Sequence, residues 1–141
     1  MPYTYDFPRA LVTVDCLVLN SNKQVLLIKR LNDPFKDSWA LPGGFIEMDE
    51  TLIDSAYREL KEETGIENVD LIELATYGEP GRDPRGRTIT ILFGGILRNS
   101  DKVIAGDDAK EAKWFTLDEL PDLAFDHKQI IEENKSRLLN H

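Results

Sequence analysis

The stretch "RELKEETGI" at residues 58–66 sets three glutamates, Glu59, Glu62 and Glu63, at spacings of three and four behind an arginine. On a helix such neighbours have Cβ atoms roughly 5–6 Å apart, and like charges there cost a few tenths of a kcal/mol per pair. Carboxylates so placed can bracket a pair of divalent ions, which in two-metal sites lie about 3.5–4 Å apart, and a bound cation reverses the sign of that repulsion. An all-oxygen ligand set, with no histidine or cysteine nearby, favours magnesium or manganese over zinc. The same pattern also describes a solvated helix face, with Arg58 and Lys61 partly neutralising the acids. A glycine pair, Gly43-Gly44, precedes the helix, and a loop rich in arginine, "YGEPGRDPRGR" at 77–87, follows it.

These residues need elements to hold them. "ALVTVDCLVLN" is β-branched and apolar, and "SNK" turns it into "QVLLIKRL", a pattern that predicts a hairpin. After the polar loop "NDPFKDS", "WALPGGFIE" combines an extended segment with a glycine turn. A helix is expected from Leu52 to Thr64, capped by Thr51 with Asp54 three residues on, and stopped by Gly65. Its stripe of Ile53, Ala56, Tyr57 and Leu60 should pack on a sheet, leaving the glutamates largely on another face. Strands are expected at about 69–77 and 87–97, and "EAKWFTL" reads as a last strand. Asp126 and Gln129 are positioned to cap a final helix over 127–139, with Ile130, Ile131 and Leu138 inward. Strands with helices on their faces make a mixed α+β sandwich.

From Gly44 the chain runs Gly, five residues, Glu50, seven residues, Arg58-Glu59-Leu60, one residue, Glu62-Glu63, one residue, Gly65-Ile66. Every fixed position of the Nudix box is met over residues 44–66, and the chain therefore resembles the Nudix hydrolases, which cleave nucleoside diphosphates linked to another group. The resemblance implies an α/β/α sandwich with a mixed β-sheet, residues 1–141 forming a single domain, and a cofactor of Mg2+ or Mn2+, two or more ions. It implies that Glu59, Glu62 and Glu63 are metal ligands, joined by the Gly43 or Gly44 carbonyl, with Glu50 orienting ligands or reaching a metal. Glu50 also sits where the dipole of a helix N-terminus favours a carboxylate, a purely structural role. Arg58 is expected to pair with and orient the glutamates.

The reaction implied is attack of water on one phosphorus of a pyrophosphate, the water being polarised by a divalent ion and deprotonated by a carboxylate. Glu62 is one candidate base. Asp107, Asp108 and Glu111, in "AGDDAKEAKWF", are others, although a solvated turn would show the same acids.

"PGRDPRG" after a tyrosine, and the opening "FPRALVTVD", are similar to the small bacterial and archaeal ADP-ribose pyrophosphatases within the family. Physically, Arg82, Arg85 and Arg87 offer forked donors to phosphates or ribose hydroxyls. Arg30 is placed to face the pyrophosphate, and Tyr77, Phe7 or Tyr5 to stack on adenine. The alternative is a surface loop held by salt bridges to Asp83. Trp39 and Trp114 read as core or pocket wall.

Composition limits the other possibilities. A chain of 141 residues with 41% hydrophobic content can build one core, and a net charge of −9 argues against nucleic acid as a partner. Cys16, the single cysteine, excludes an internal disulfide and fits a reducing cytoplasm, where its apolar surroundings predict an inert thiol. No apolar run approaches the roughly 18 residues of a membrane span. His127 and His141 form no ligand constellation.

Two other activities share these features. A nucleoside-triphosphate pyrophosphatase would use the same box, and metabolite-sensing Nudix domains occur in transcription regulators that carry a winged helix after the Nudix domain. Here a single helix is expected after "EAKWFTL" and its turn, which favours catalysis over sensing. The resemblance also suggests a homodimer.

Overall fold

A computed structural model describes residues 4–98 and 109–140. Along the chain lie β1 (Leu11–Asn20), β2 (Gln24–Arg30), β3 (Trp39–Ala40), β4 (Gly43–Phe45), α1 (Leu52–Thr64), β5 (Ile72–Tyr77), β6 (Thr88–Leu97), β7 (Ala109–Thr116) and α2 (His127–Leu139). The strands form a seven-stranded mixed sheet in the order β3-β2-β1-β6-β5, with β4 added to β1 and β7 to β2. At its centre β1 and β6 run parallel, in register from Leu11↔Thr88 to Asn20↔Leu97.

The apolar runs are continuous because both sheet faces are covered, and the side-chain period of two sorts them. Val14, Cys16 and Val18 of β1 face one layer with Ala56 and Leu60 of α1. Leu17 and Leu19 face the other, with Ile130, Ile131 and Leu138 of α2. Cys16 is fully buried, and burial pushes its thiol well above the ordinary value, which keeps it in the unreactive form. The result is the α+β sandwich expected from the sequence.

Several local expectations need correction. β1 and β2 pair only at their tip, Leu19↔Val25. Further along, β1 gives that edge to β4 through Thr13↔Phe45, Val14↔Gly44 and Asp15↔Gly43. β2 meanwhile pairs with β7 and β3. The expected hairpin is therefore opened by the glycine strand wedged into it. Ile53, assigned to the inward stripe of α1, is 36% exposed, because the first turn of that helix overhangs the sheet. Thr51 caps α1 as expected, accepting the Asp54 N–H at 3.2 Å, and Gly65 closes it at φ 76°. Asp126 precedes α2 without a side-chain cap, its carboxylate being bound to Arg82.

Candidate active site

Placing β4 between β1 and α1 brings glycine backbone against the acidic helix. The expectation of a solvated acidic face fails for two of the three glutamates, since Glu59 is 8% and Glu63 4% exposed. Buried carboxylates require partners. Arg58 Nη1 donates to Glu59 Oε1 at 2.9 Å, and the Gly43 N–H donates to Glu63 Oε1 at 2.7 Å. A Cβ on Gly44 would fall 2.7 Å from Glu59 Oε1, so only glycine lets the chain pass over that carboxylate without displacing it. Glu62 is the open member, its side chain 48% exposed, with Arg58 Nη1 at 3.3 Å from Oε2.

Arg58 joins this group to the turn before the helix. Its Nε donates to Glu50 Oε2 at 2.7 Å, and its Nη2 to Glu50 Oε1 at 3.0 Å and to the Phe45 carbonyl at 3.2 Å. Glu50 Oε1 also accepts the Ser55 hydroxyl at 2.5 Å and the Glu47 N–H at 3.2 Å. Those bonds, the one from Arg58 first, hold the Glu50 carboxyl down at about 2, and the same pairing raises Arg58 above its ordinary value. Glu50 in this arrangement is the strut that fixes Arg58.

Among the described residues no three histidine, cysteine, aspartate or glutamate side chains are gathered into a closed ligand set. Arg58 instead neutralises the acids. The donors nonetheless suit a hard cation: Gly43, Gly44, Glu59, Glu62 and Glu63 line one cleft of about 730 Å³, all offering oxygen, with glycine backbone pressed onto a carboxylate. The residues present fit magnesium or manganese.

The arginines divide. Arg30 and Arg85 line both this cleft and a narrow inner cavity of about 50 Å³ behind the glycine turn. Arg30 Nε donates to the Pro34 carbonyl at 2.7 Å, and Arg85 pairs with Asp83 through Nη2 at 2.7 Å. Arg82, its side chain 5% exposed, forms part of the inner wall in a two-point pair with Asp126 at 2.9 and 2.7 Å. Arg87 donates to the Gly78 carbonyl at 3.1 Å and lines neither cavity. Tyr77 packs beside α2, donating to Glu133 and accepting from Asn134, away from the cleft. Tyr5 and Phe7 line an adjoining surface groove that shares Phe45, Ile46 and Met48 with the cleft. Glu111 is exposed on β7 opposite Lys29, outside the cleft walls. Asp107 and Asp108 lie outside the described residues.

Sequence reading missed Asp15 and His127 in the inner wall. Asp15 is 7% exposed, accepts the Thr90 hydroxyl at 2.6 Å and lies 3.7 Å from His127 Nε2. His127 Nδ1 accepts the Leu41 N–H at 3.0 Å, so the imidazole is neutral and ties α2 to the glycine turn. Burial pushes it below the ordinary histidine value, although Asp15 pulls the other way. A lone carboxylate inside "VTVDCLVL" was the available signal, since such a group needs a partner.

A glutamate-lined cleft with a glycine turn on its rim, on a mixed sheet covered by a helix on each face, is an arrangement that suits hydrolysis at phosphorus with a divalent cation. The NUDIX domain family matches residues 9–133, and the chain belongs to it. It is 50% identical over 127 residues to an ADP-ribose pyrophosphatase of Methanocaldococcus jannaschii, covering 86% of this chain and 71% of that one. It is 37% identical over 142 residues to the ADPR responsive transcriptional repressor NtrR of Acinetobacter baylyi, covering 96% of this chain but 57% of the repressor. Among solved structures, the NUDIX domain of Shewanella oneidensis NrtR complexed with ADP ribose superposes with a TM-score of 0.85 at 34% identity, covering 94% of this chain and 93% of that one. No helix among the described residues is long and apolar enough to cross a membrane.

Proposed function

We propose that this Nudix pyrophosphohydrolase cleaves the pyrophosphate bond of ADP-ribose to give AMP and ribose 5-phosphate, with residues 1–141 acting as one hydrolase domain. The observation that carries the reading is the convergence of Arg30 and Arg85, from separate elements, on the cleft that Glu59, Glu62 and Glu63 line. Two guanidiniums beside three carboxylates suit a substrate whose diphosphate must be gripped while its charge is offset. The similarity to an ADP-ribose pyrophosphatase and to an ADP-ribose-bound domain supports the choice of substrate.

In this reading Glu59, Glu62 and Glu63, with a glycine-turn carbonyl, hold two or more magnesium or manganese ions. Such ions polarise the attacking water and offset charge on the departing phosphate. Arg30 and Arg85 bind the diphosphate oxygens through charge-assisted hydrogen bonds. Glu63 keeps the glycine turn in place through the Gly43 N–H, and Glu50 keeps Arg58 between Glu59 and Glu62. Glu62 is the exposed carboxylate, and only Oε2 has a protein donor among the described residues. Its Oε1 takes the proton as the water oxygen bonds to phosphorus and the bridging P–O bond breaks. A general base so placed is typically worth 10²–10⁴-fold.

The similarity to a repressor over 96% of the chain keeps ligand sensing as the second reading. Product analysis separates the two. Incubation with ADP-ribose and Mg2+ is expected to yield AMP and ribose 5-phosphate in equal amounts, and chelation to abolish both. Tight binding of ADP-ribose without product would select the sensor.

A further inference from the structure

Three consecutive residues at the entrance to α2 hold parts of the inner cavity wall. Asp126 takes Arg82, and His127 takes the Leu41 N–H of the glycine turn. Phe125 is the ring shared by both arginines that reach the cleft: its centroid lies 5.1 Å from the Arg30 guanidinium carbon and 5.3 Å from that of Arg85. The Arg85 guanidinium carbon also lies 4.7 Å from the Phe45 ring in the cleft wall. All three distances fall inside the range in which an aromatic ring attracts a cation.

The backbone marks this place as well. Phe125 has φ 53°, and Phe35, whose ring packs on it at 4.8 Å and 59°, has φ 61°. Bulky side chains rarely occupy the left-handed region, and they stay there only when surrounding contacts over-determine them. Ala124, the neighbour of Phe125, is pinned to β3 by its N–H bond to the Trp39 carbonyl at 2.8 Å. The strained backbone holds the Phe125 ring in the wall of the inner cavity, with Phe35 packed against it.

The two guanidiniums are poorly matched by protein. Arg30 has no carboxylate within ion-pair distance among the described residues, and its side-chain hydrogen bond, to the Pro34 carbonyl, uses Nε alone. Arg85 spends Nε and Nη2 on Asp83, leaving Nη1 without a protein acceptor among the described residues. Burial, and after it repulsion from Arg85, lowers the Arg30 guanidinium from its ordinary value. Two cations held near each other, with donors to spare, suit a doubly charged anion.

We propose that Phe125 is a positioning residue that holds Arg30 and Arg85 together as one two-pronged receptor for the substrate's diphosphate. This rests on the reading of the arginine pair as the anion site, so the test uses a probe that does not depend on turnover. Binding of inorganic pyrophosphate to the full chain is measured by calorimetry in the presence of a chelator. KM and kcat for ADP-ribose with Mg2+ are measured in parallel, for the wild type, Phe125→Leu and Phe125→Tyr, each with and without Arg30→Ala.

Phe125→Leu keeps apolar bulk and removes the π face. It is expected to weaken pyrophosphate binding and raise KM by roughly 5- to 30-fold, with kcat little changed. Phe125→Tyr, which restores the face, returns both to near wild type. In the Phe125→Leu background, Arg30→Ala costs less than it does in the wild type, because the pair has already been broken. If pyrophosphate binding follows this pattern while ADP-ribose is not hydrolysed, the substrate reading fails and the receptor stands. The proposal is overturned if Phe125→Leu binds pyrophosphate as the wild type does, if the wild type binds none, or if Phe125→Tyr fails to restore binding.

Discussion

Replacing Gly44 with alanine separates the fold of the site from its function. The added Cβ would stand 2.7 Å from Glu59 Oε1 and 2.8 Å from both Cδ and Oε2. Ordinary contact begins near 3.5 Å, so the carboxylate must retreat by about 0.8 Å or more. It is the free end of a side chain and can give way at little cost in stability. It gives way, however, by leaving the position in which Arg58 Nη1 holds it at 2.9 Å. Displacement of a catalytic group by about 1 Å costs on the order of 10²-fold in rate, or about 2.7 kcal/mol of barrier. Gly43→Ala provides the contrast, since its Cβ would meet the Val14 carbonyl and Asp15 Cα, which are backbone and cannot swing aside. Thermal melts and kcat/KM for ADP-ribose with Mg2+ should show Gly44→Ala folded and slow, and Gly43→Ala destabilised. Wild-type kcat/KM in Gly44→Ala would refute the role given to Glu59 and its glycine cradle.

Glu62→Gln and Glu63→Gln keep shape but remove a ligand charge, so single-turnover rates should fall by at least about 10²-fold with melting temperature held. The two loop arginines should part company. Arg82→Ala strands Asp126 beside the inner cavity and should lower stability by up to about 3–5 kcal/mol in denaturant titration. Arg85→Ala strands Asp83, whose side chain is only 2% exposed, so it should lower stability as well and in addition cost roughly 10–100-fold in kcat/KM. Burial lowers the His127 pKa from its ordinary 6.5, so the unfolded chain binds a proton that the folded chain refuses. Stability should therefore fall as pH drops below about 6.5, and melts of His127→Gln across this range should show a shallower slope.

Much of the site was legible because its chemistry is local in sequence. Arg58, Glu59, Glu62 and Glu63 share one helix, Glu50 lies two residues before it, and caps such as Thr51 and Gly65 obey short-range rules. What escaped is what the sheet brings together from far apart. Asp15 meets Thr90 across the central parallel pair, and His127 reaches Leu41 from the last helix. Neither contact leaves a periodic trace. Arg82, Arg85 and Arg87 look alike in "GRDPRGR", and only Asp126, Asp83 and the Gly78 carbonyl assign them to different places. The β1–β2 hairpin forms across the predicted turn, at Leu19↔Val25, but its pairing is shorter than a tight polar turn suggests because β4 competes for the same edge.

The most direct test of the account is the ratio of kcat/KM for ADP-ribose to that for nucleoside triphosphates, measured on the wild type with Mg2+ at one pH. A cleft whose carboxylates and paired arginines serve a diphosphate bearing a second ribose should favour ADP-ribose by at least about 10-fold, the worth of one charge-assisted hydrogen bond. Equal or greater efficiency on the triphosphates would contradict it.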